Sequence, residues 1–193
     1  MLRKLFFTGS LIAILLLTAC ATQIKPSTAS NPPPSEAFMN FTAFEMTPVA
    51  LAPAYASQPA NQKALVKIQE NVSANLSPSL ASWNQTGAKK ERTARTLVIN
   101  LEVTEIKFIG GGTRFMVGFM AGSSAVVMKA RITEKETGKT IAAPEFYAVA
   151  GAWSGGWPGK ADNLMLNHIA DQLKDYLVTN YAAAVGGPTG GHE

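Results

Sequence analysis

Thr96-Leu97-Val98-Ile99-Asn100-Leu101-Glu102-Val103-Thr104-Glu105-Ile106-Lys107-Phe108-Ile109 is the stretch on which the fold reading turns. Leu97, Ile99, Leu101 and Val103 alternate with Val98, Asn100, Glu102 and Thr104, the period of a strand with one buried face. Beyond Glu105 the apolar positions move to Ile106 and Phe108. A change of face by one residue requires an extra residue in the strand, so the spacing predicts a bulge or bend near Thr104–Glu105. Downstream, Val126, Met128, Ala130 and Ile132 face one way and Lys129, Arg131 and Thr133 the other. Thr137-Gly138, within Glu134 to Lys139, is a turn signal. Ile141 to Ala150 then returns as the partner strand, with Pro144 marking an edge or bulge.

Working outward, Phe41 to Val49 reads as a first strand stopped at Pro48, and Ala50 to Pro59 as a loop. Asn61 is the expected N-cap of a helix whose face is Leu65, Ile68, Val72 and Leu76, spaced three, four and four apart. Pro78 is expected to interrupt that helix, with Leu80 and Trp83 continuing its face beyond a kink. Met165, Ile169, Leu173, Tyr176, Leu177 and Tyr181 form the buried face of a last helix. Asp162 sits in its first turn, where the helix dipole favours a negative charge, and Gly186-Gly187-Pro188 ends it. The order β-α-β-β-β-α predicts an α+β domain: a mostly antiparallel sheet with two helices on one face.

The N-terminus reads as an address. Arg3 and Lys4 precede Leu5 to Leu17, an apolar run too short to span a bilayer permanently. Leu17-Thr18-Ala19-Cys20 follows and resembles the lipobox of bacterial lipoproteins. The resemblance implies a signal peptide over 1–19 and lipidation of Cys20 by acyl chains such as palmitate. It also implies, because Ala21 rather than Asp follows, a place in the outer membrane facing the periplasm. Several acyl chains give stable rather than reversible anchoring. Residues 20–40, with Pro32-Pro33-Pro34 and many Ser, Thr and Asn, are expected to be a disordered tether, 41–185 the domain, and 186–193 a flexible tail.

Composition narrows the function. Lys plus Arg number 17 and Asp plus Glu 13, a formal charge of +4. Without Arg3 and Lys4 that becomes 15 minus 13, or +2, too little for an electrostatic nucleic-acid binder. A single Cys excludes a disulfide within the chain and a cysteine-based zinc site. There is no HExxH, P-loop, GxGxxG or GxSxG. His168, Asp171 and Asp175 share a helical stripe that a metal could use weakly, but Asn167 and Lys174 beside them favour a solvated face. No catalytic residue, cofactor or metal is therefore expected.

Two stretches are candidates for binding. Phe108 to Ser124 is Gly-rich and carries Arg114, Phe115 and Phe119; it reads as a mobile contact loop or as a wide hairpin with alternating residues. Gly151 to Gly159 carries Trp153 and Trp157, rings that serve either an interface or a cap on the sheet.

Gly110-Gly111-Gly112-Thr113-Arg114 with Gly118 and Gly122, then Glu134-Lys135-Glu136-Thr137-Gly138-Lys139, then the final helix, resemble a group of bacterial lipoproteins classed as a domain of unknown function. The resemblance runs from Phe41 to Tyr181 and brings no catalytic residues. In that group an acidic residue precedes the Thr-Gly turn, here Glu134 or Glu136. The architecture is also similar to the small α/β domains of curli-assembly lipoproteins and of the Tol-system propeller protein. The expected role is a non-enzymatic accessory module of the envelope, with protein partners or peptidoglycan. The alternative is a lipoprotein holding a glycan or small apolar molecule through its Gly/Trp loops.

Overall fold

The computed structural model describes residues 24–89, 93–109, 123–150 and 160–190. In chain order its elements are β1 (Ser30–Asn31), a 3-10 turn (Phe38–Asn40), β2 (Ala43–Met46), β3 (Ala50–Leu51), α1 (Pro53–Ala56) and α2 (Pro59–Gly87). There follow β4 (Thr96–Lys107), β5 (Ala125–Glu134), β6 (Thr140–Ala142), β7 (Glu145–Val149), α3 (Lys160–Ala182) and β8 (Gly187–Pro188).

β4 and β5 form the centre of the main sheet as an antiparallel pair. β2 and β3 add to β4 in parallel, and β6 and β7 add to β5 antiparallel. Val103 lies opposite Met128 and Glu105 opposite Val127, so Thr104 is the extra residue of a bulge. That is the position where the apolar period changes face. The return strand divides at Pro144, which has no N–H to offer the ladder. β6 and β7 pair separately with β5, and the Pro144 carbonyl accepts the Ala130 N–H at 2.9 Å.

Both long helices cover one face. Ile68, Val72 and Leu76 of α2 and Ile169, Leu173 and Leu177 of α3 meet Leu97, Ile99, Met128, Ile132 and Phe146 of the sheet in one core. Each such side chain contributes about 1.5–3 kcal/mol on burial. Ala64 is buried where Leu65 is only partly so. An aromatic cluster ties β2 to both helices: Trp83 stacks on Tyr181 at 4.5 Å, and Phe44 lies 5.2 Å from Trp83.

Several local expectations change. α2 begins at Pro59, a favourable first helical position, and Asn61 lies inside it, donating its amide to the Tyr55 carbonyl at 3.0 Å. Residues 50–59, expected as a loop, hold β3 and α1. Pro78 does not end the helix. It sits on the exposed face while Leu76 and Leu80 are buried on either side of it, and their burial together outweighs the roughly 3 kcal/mol cost of an interior proline.

The expected tether and tail are corrected most. Residues 24–40 lie along the domain, and 186–190 lie beside them. β1 pairs antiparallel with β8, Asn31 opposite Gly187. Phe38 is fully buried, and Ser35 donates its N–H to Ile141 at 2.8 Å. Thr189 is buried, its hydroxyl within 2.9 and 3.0 Å of the Thr28 and Ala29 carbonyls. The paired ends act as a strap across the domain. Their contacts are mainly backbone and amide hydrogen bonds, which leave no apolar period in the sequence.

Candidate functional site

Two loops leave the sheet from neighbouring strands at one end. Lys107 closes β4 opposite Ala125, and Ala125 stands opposite Val149 of β7. Ser124 pins both bases: fully buried, it accepts the Ile109 N–H on its hydroxyl oxygen at 3.0 Å and the Ala150 N–H on its carbonyl at 2.8 Å. The loop candidates Arg114, Phe115 and Phe119, the pair Trp153 and Trp157, and Cys20 all lie outside the described residues. What is fixed is where their segments attach. Ile24, buried against Ala125 and Val127 with Tyr147 packed alongside, brings the N-terminal strap to that same end.

From Ile24 the strap runs down the edge of the sheet and is held by polar groups. Ser27 donates its N–H and its hydroxyl to the two carboxylate oxygens of Glu145, and the Lys129 ammonium lies 3.1 Å from the same group. Burial alone would raise the Glu145 carboxyl. The Ser27 hydrogen bonds and Lys129 outweigh it and hold the group below its ordinary value. Asn31 accepts the Glu145 N–H and donates to the Glu145 carbonyl, both at 2.8 Å. Tyr147 donates its N–H to Thr189 at 2.7 Å and accepts from the Gln172 amide at 2.9 Å. Its phenol is raised by burial.

The opposite edge is closed in the same way. Asn84 of α2 accepts the Phe44 N–H at 2.7 Å and donates to the Phe44 carbonyl at 3.1 Å, while Gln69 accepts the Val49 N–H at 2.6 Å. An open edge invites pairing with another chain; here amide side chains occupy much of both edges.

At the far end of the sheet Arg95 gathers two acids. It makes paired hydrogen bonds with Glu36, each 2.9 Å, contacts Glu134, and lies 4.4 Å over the Phe41 ring. Glu134 is lowered by the Thr137 hydroxyl and then by Arg95, and Glu36 chiefly by Arg95. Arg95 is raised in turn, first by Glu36 and then by Glu134. Of the two acids before the Thr-Gly turn, Glu134 is thus the one bonded to Thr137, while Glu136 accepts the Thr96 N–H and is lowered by it. This cluster joins the strap, β2 and the β5–β6 turn.

The helical stripe divides. Asp171 faces α2, accepting from Asn75 at 2.7 Å and from Asn167 at 2.9 Å. His168 and Asp175 stay on the other side, in a groove beside the strap. Among the described residues no three His, Cys, Asp or Glu gather as a metal site, and no helix is long and apolar enough to cross a membrane. Sequence reading missed Ser27, Asn31 and Glu145. Its only signal was an acid placed immediately after Pro144 at the start of an apolar strand.

The family described as "Domain of unknown function (DUF4410)" matches residues 21–152, more than half of the chain, and the chain belongs to it. The match takes in the strap and stops before α3, whereas the resemblance was expected to run from Phe41 to Tyr181. No curated protein matches. Among solved structures, the chain is similar to the PelC dodecamer from Paraburkholderia phytofirmans, with 14% identity and a TM-score of 0.38 over 84% of this chain and 96% of that one. It is similar to protein CT253 from Chlamydia trachomatis at 14% identity and a TM-score of 0.35, over 72% and 99%. It is also similar to lipoprotein GNA1162 from Neisseria meningitidis at 14% identity and a TM-score of 0.32, over 69% and 98%.

Proposed function

We propose that this member of the DUF4410 family is a lipoprotein anchored through Cys20 in the outer membrane, facing the periplasm. Its role is that of a non-enzymatic interaction module in envelope assembly or maintenance. The observation that carries this reading is the seat of Ile24 against Ala125 and Val127. Cys20 precedes Ile24 by four residues, and four residues reach at most on the order of 14 Å. A lipid on Cys20 therefore holds the loop-bearing end of the sheet close to the leaflet, where a long tether would have let the domain drift away from it.

In this reading the segments carrying Arg114, Phe115, Phe119, Trp153 and Trp157 work at the membrane side, against envelope proteins or peptidoglycan near the lipid surface. Aromatic and Arg side chains are the types that concentrate binding energy at interfaces. Cys20→Ser in cells tests the anchor. The expected result is loss of the protein from the membrane fraction and of the acyl mass from the mature product. A variant that is processed normally and stays with the membrane overturns the proposal, as does a hydrolytic activity of the purified chain that one side-chain change abolishes.

A further inference from the structure

Both long helices start at the loop-bearing end of the sheet. Gly87, the last residue of α2, abuts Thr42, whose N–H bonds to the Arg95 carbonyl at the far end. Trp83 and Tyr181, stacked at 4.5 Å, bring the two helices together there. The 29 residues of α2 span roughly 43 Å and the 23 of α3 roughly 34 Å, against roughly 40 Å for the 12 of β4. Lys63 and Lys160, near the helix starts, therefore come level with Lys107 at the end of β4. Lys25 joins them, following Ile24, which is buried against Ala125 opposite Lys107. Among the described residues this end thus carries four lysines against two acids, Glu105 and Asp162. Lys25, Lys63 and Lys160 are exposed and form no ion pair among the described residues. At the far end Arg95 is tied to Glu36 and Glu134, and Lys135 to Glu45. The loop-bearing end also exposes Val66, Leu164 and Val149, the first two within about two turns of the helix starts.

We propose that this end is a surface for anionic phospholipid, its lysines on the headgroup phosphates and its exposed apolar side chains at the boundary with the acyl chains. The proposal rests on the reading that this end faces the leaflet, and it names the lipid that the end selects. A soluble anion would engage the lysines and leave Val66, Leu164 and Val149 in water. An apolar partner would cover those three and bury lysine charges without counter-ions. An anionic leaflet meets both: its surface potential attracts lysine, and apolar side chains enter its headgroup region. Lysine suits the task because its ammonium reaches out on a flexible stem whose methylenes lie along apolar surface. Four lysines opposed by two acids give weak, salt-sensitive attachment by themselves. Their part is to turn the domain and choose the lipid, while acyl chains on Cys20 hold it there.

The full mature chain, residues 20–193 with Cys20→Ser, tests the surface without the anchor. It is sedimented with vesicles of phosphatidylcholine alone, or of phosphatidylcholine and phosphatidylglycerol in equal parts. The expected result is saturable binding to the anionic vesicles, lost at high salt and absent with phosphatidylcholine alone. Lys63→Gln combined with Lys160→Gln is expected to weaken binding about thirtyfold. Leu164→Ser is expected to weaken it about fivefold, the scale of a partly buried leucine. Lys89→Gln combined with Lys139→Gln removes the same charge from the far end and should leave binding unchanged. Circular dichroism is expected to show that all these variants melt with the parent. No binding to anionic vesicles, equal binding to both kinds, equal loss in the far-end pair, or unchanged affinity in Leu164→Ser overturns the proposal. Any of these failures leaves acylation of Cys20 standing, since that is read from the mass of the native product. An unacylated native product whose chain still binds anionic vesicles would fail the anchor alone.

Discussion

The side-chain amide of Asn31 spans the backbone of Glu145, taking its N–H and giving to its carbonyl, both at 2.8 Å. Asn84 does the same to Phe44 on the other side of the sheet. Each amide stands in for one residue of a neighbouring strand. It meets two backbone groups without presenting a strand that another chain could extend.

Asn31→Ala leaves two backbone groups on β7 without partners. The expected cost is about 1–3 kcal/mol, seen as a lower urea midpoint. Hydrogen exchange should quicken at the Glu145 and Tyr147 amides while the amides of β4 stay protected. Unchanged exchange at Glu145 would show that the strap does not hold this edge in solution.

Acid should loosen the strap. Glu36, Glu134 and Glu145 are all held below the ordinary value of 4.5. Between the lowered folded values and 4.5 the unfolded chain binds more protons than the folded one, so falling pH favours unfolding. Their contribution is complete above 4.5 and is lost as pH falls through the folded values. The urea midpoint should be flat from neutrality down to about pH 5 and then decline. Glu145→Gln should flatten part of that decline. An unaltered profile in this variant would remove Glu145 from the account.

Gly87 is buried at the end of α2, where an added Cβ would overlap the Thr42 carbonyl. Alanine favours a helix by up to about 1 kcal/mol over glycine, but backbone overlap of this kind costs about 1–3 kcal/mol. Gly87→Ala is therefore expected to lower the melting temperature. A rise would mean that helix and β2 separate more easily than this packing implies.

The parts of the fold that were legible in the sequence are those written in apolar periods. The face change after Thr104 located the bulge, the alternation from Val126 to Ile132 gave β5, and the spacing from Met165 to Leu177 gave α3. The strap was not legible. Asn31 and Glu145 are 114 residues apart and meet through an amide and a backbone, a contact that sets no spacing along the chain. A run of prolines also reads as a linker whether or not its ends are paired. Pro78 misled for a related reason, since the leucines that keep α2 continuous across it act through the tertiary core. Of the site, the loops were visible as Gly- and Trp-rich stretches, but their shared root at Ser124 needed the sheet register. The groove depends on the C-terminal residues folding back, which nothing local announces.

Orientation on the membrane is the central claim, and lipid photocrosslinking tests it most directly. Val149 is exposed at the loop-bearing end of the sheet, and Lys139 is exposed beyond the other end of β5. The ten residues of β5 separate the two by roughly 30 Å. With a photoreactive residue at each position in turn, position 149 is expected to label lipid and position 139 not, and Cys20→Ser should abolish the labelling. Equal labelling at both positions, or labelling from 139 alone, would contradict the account.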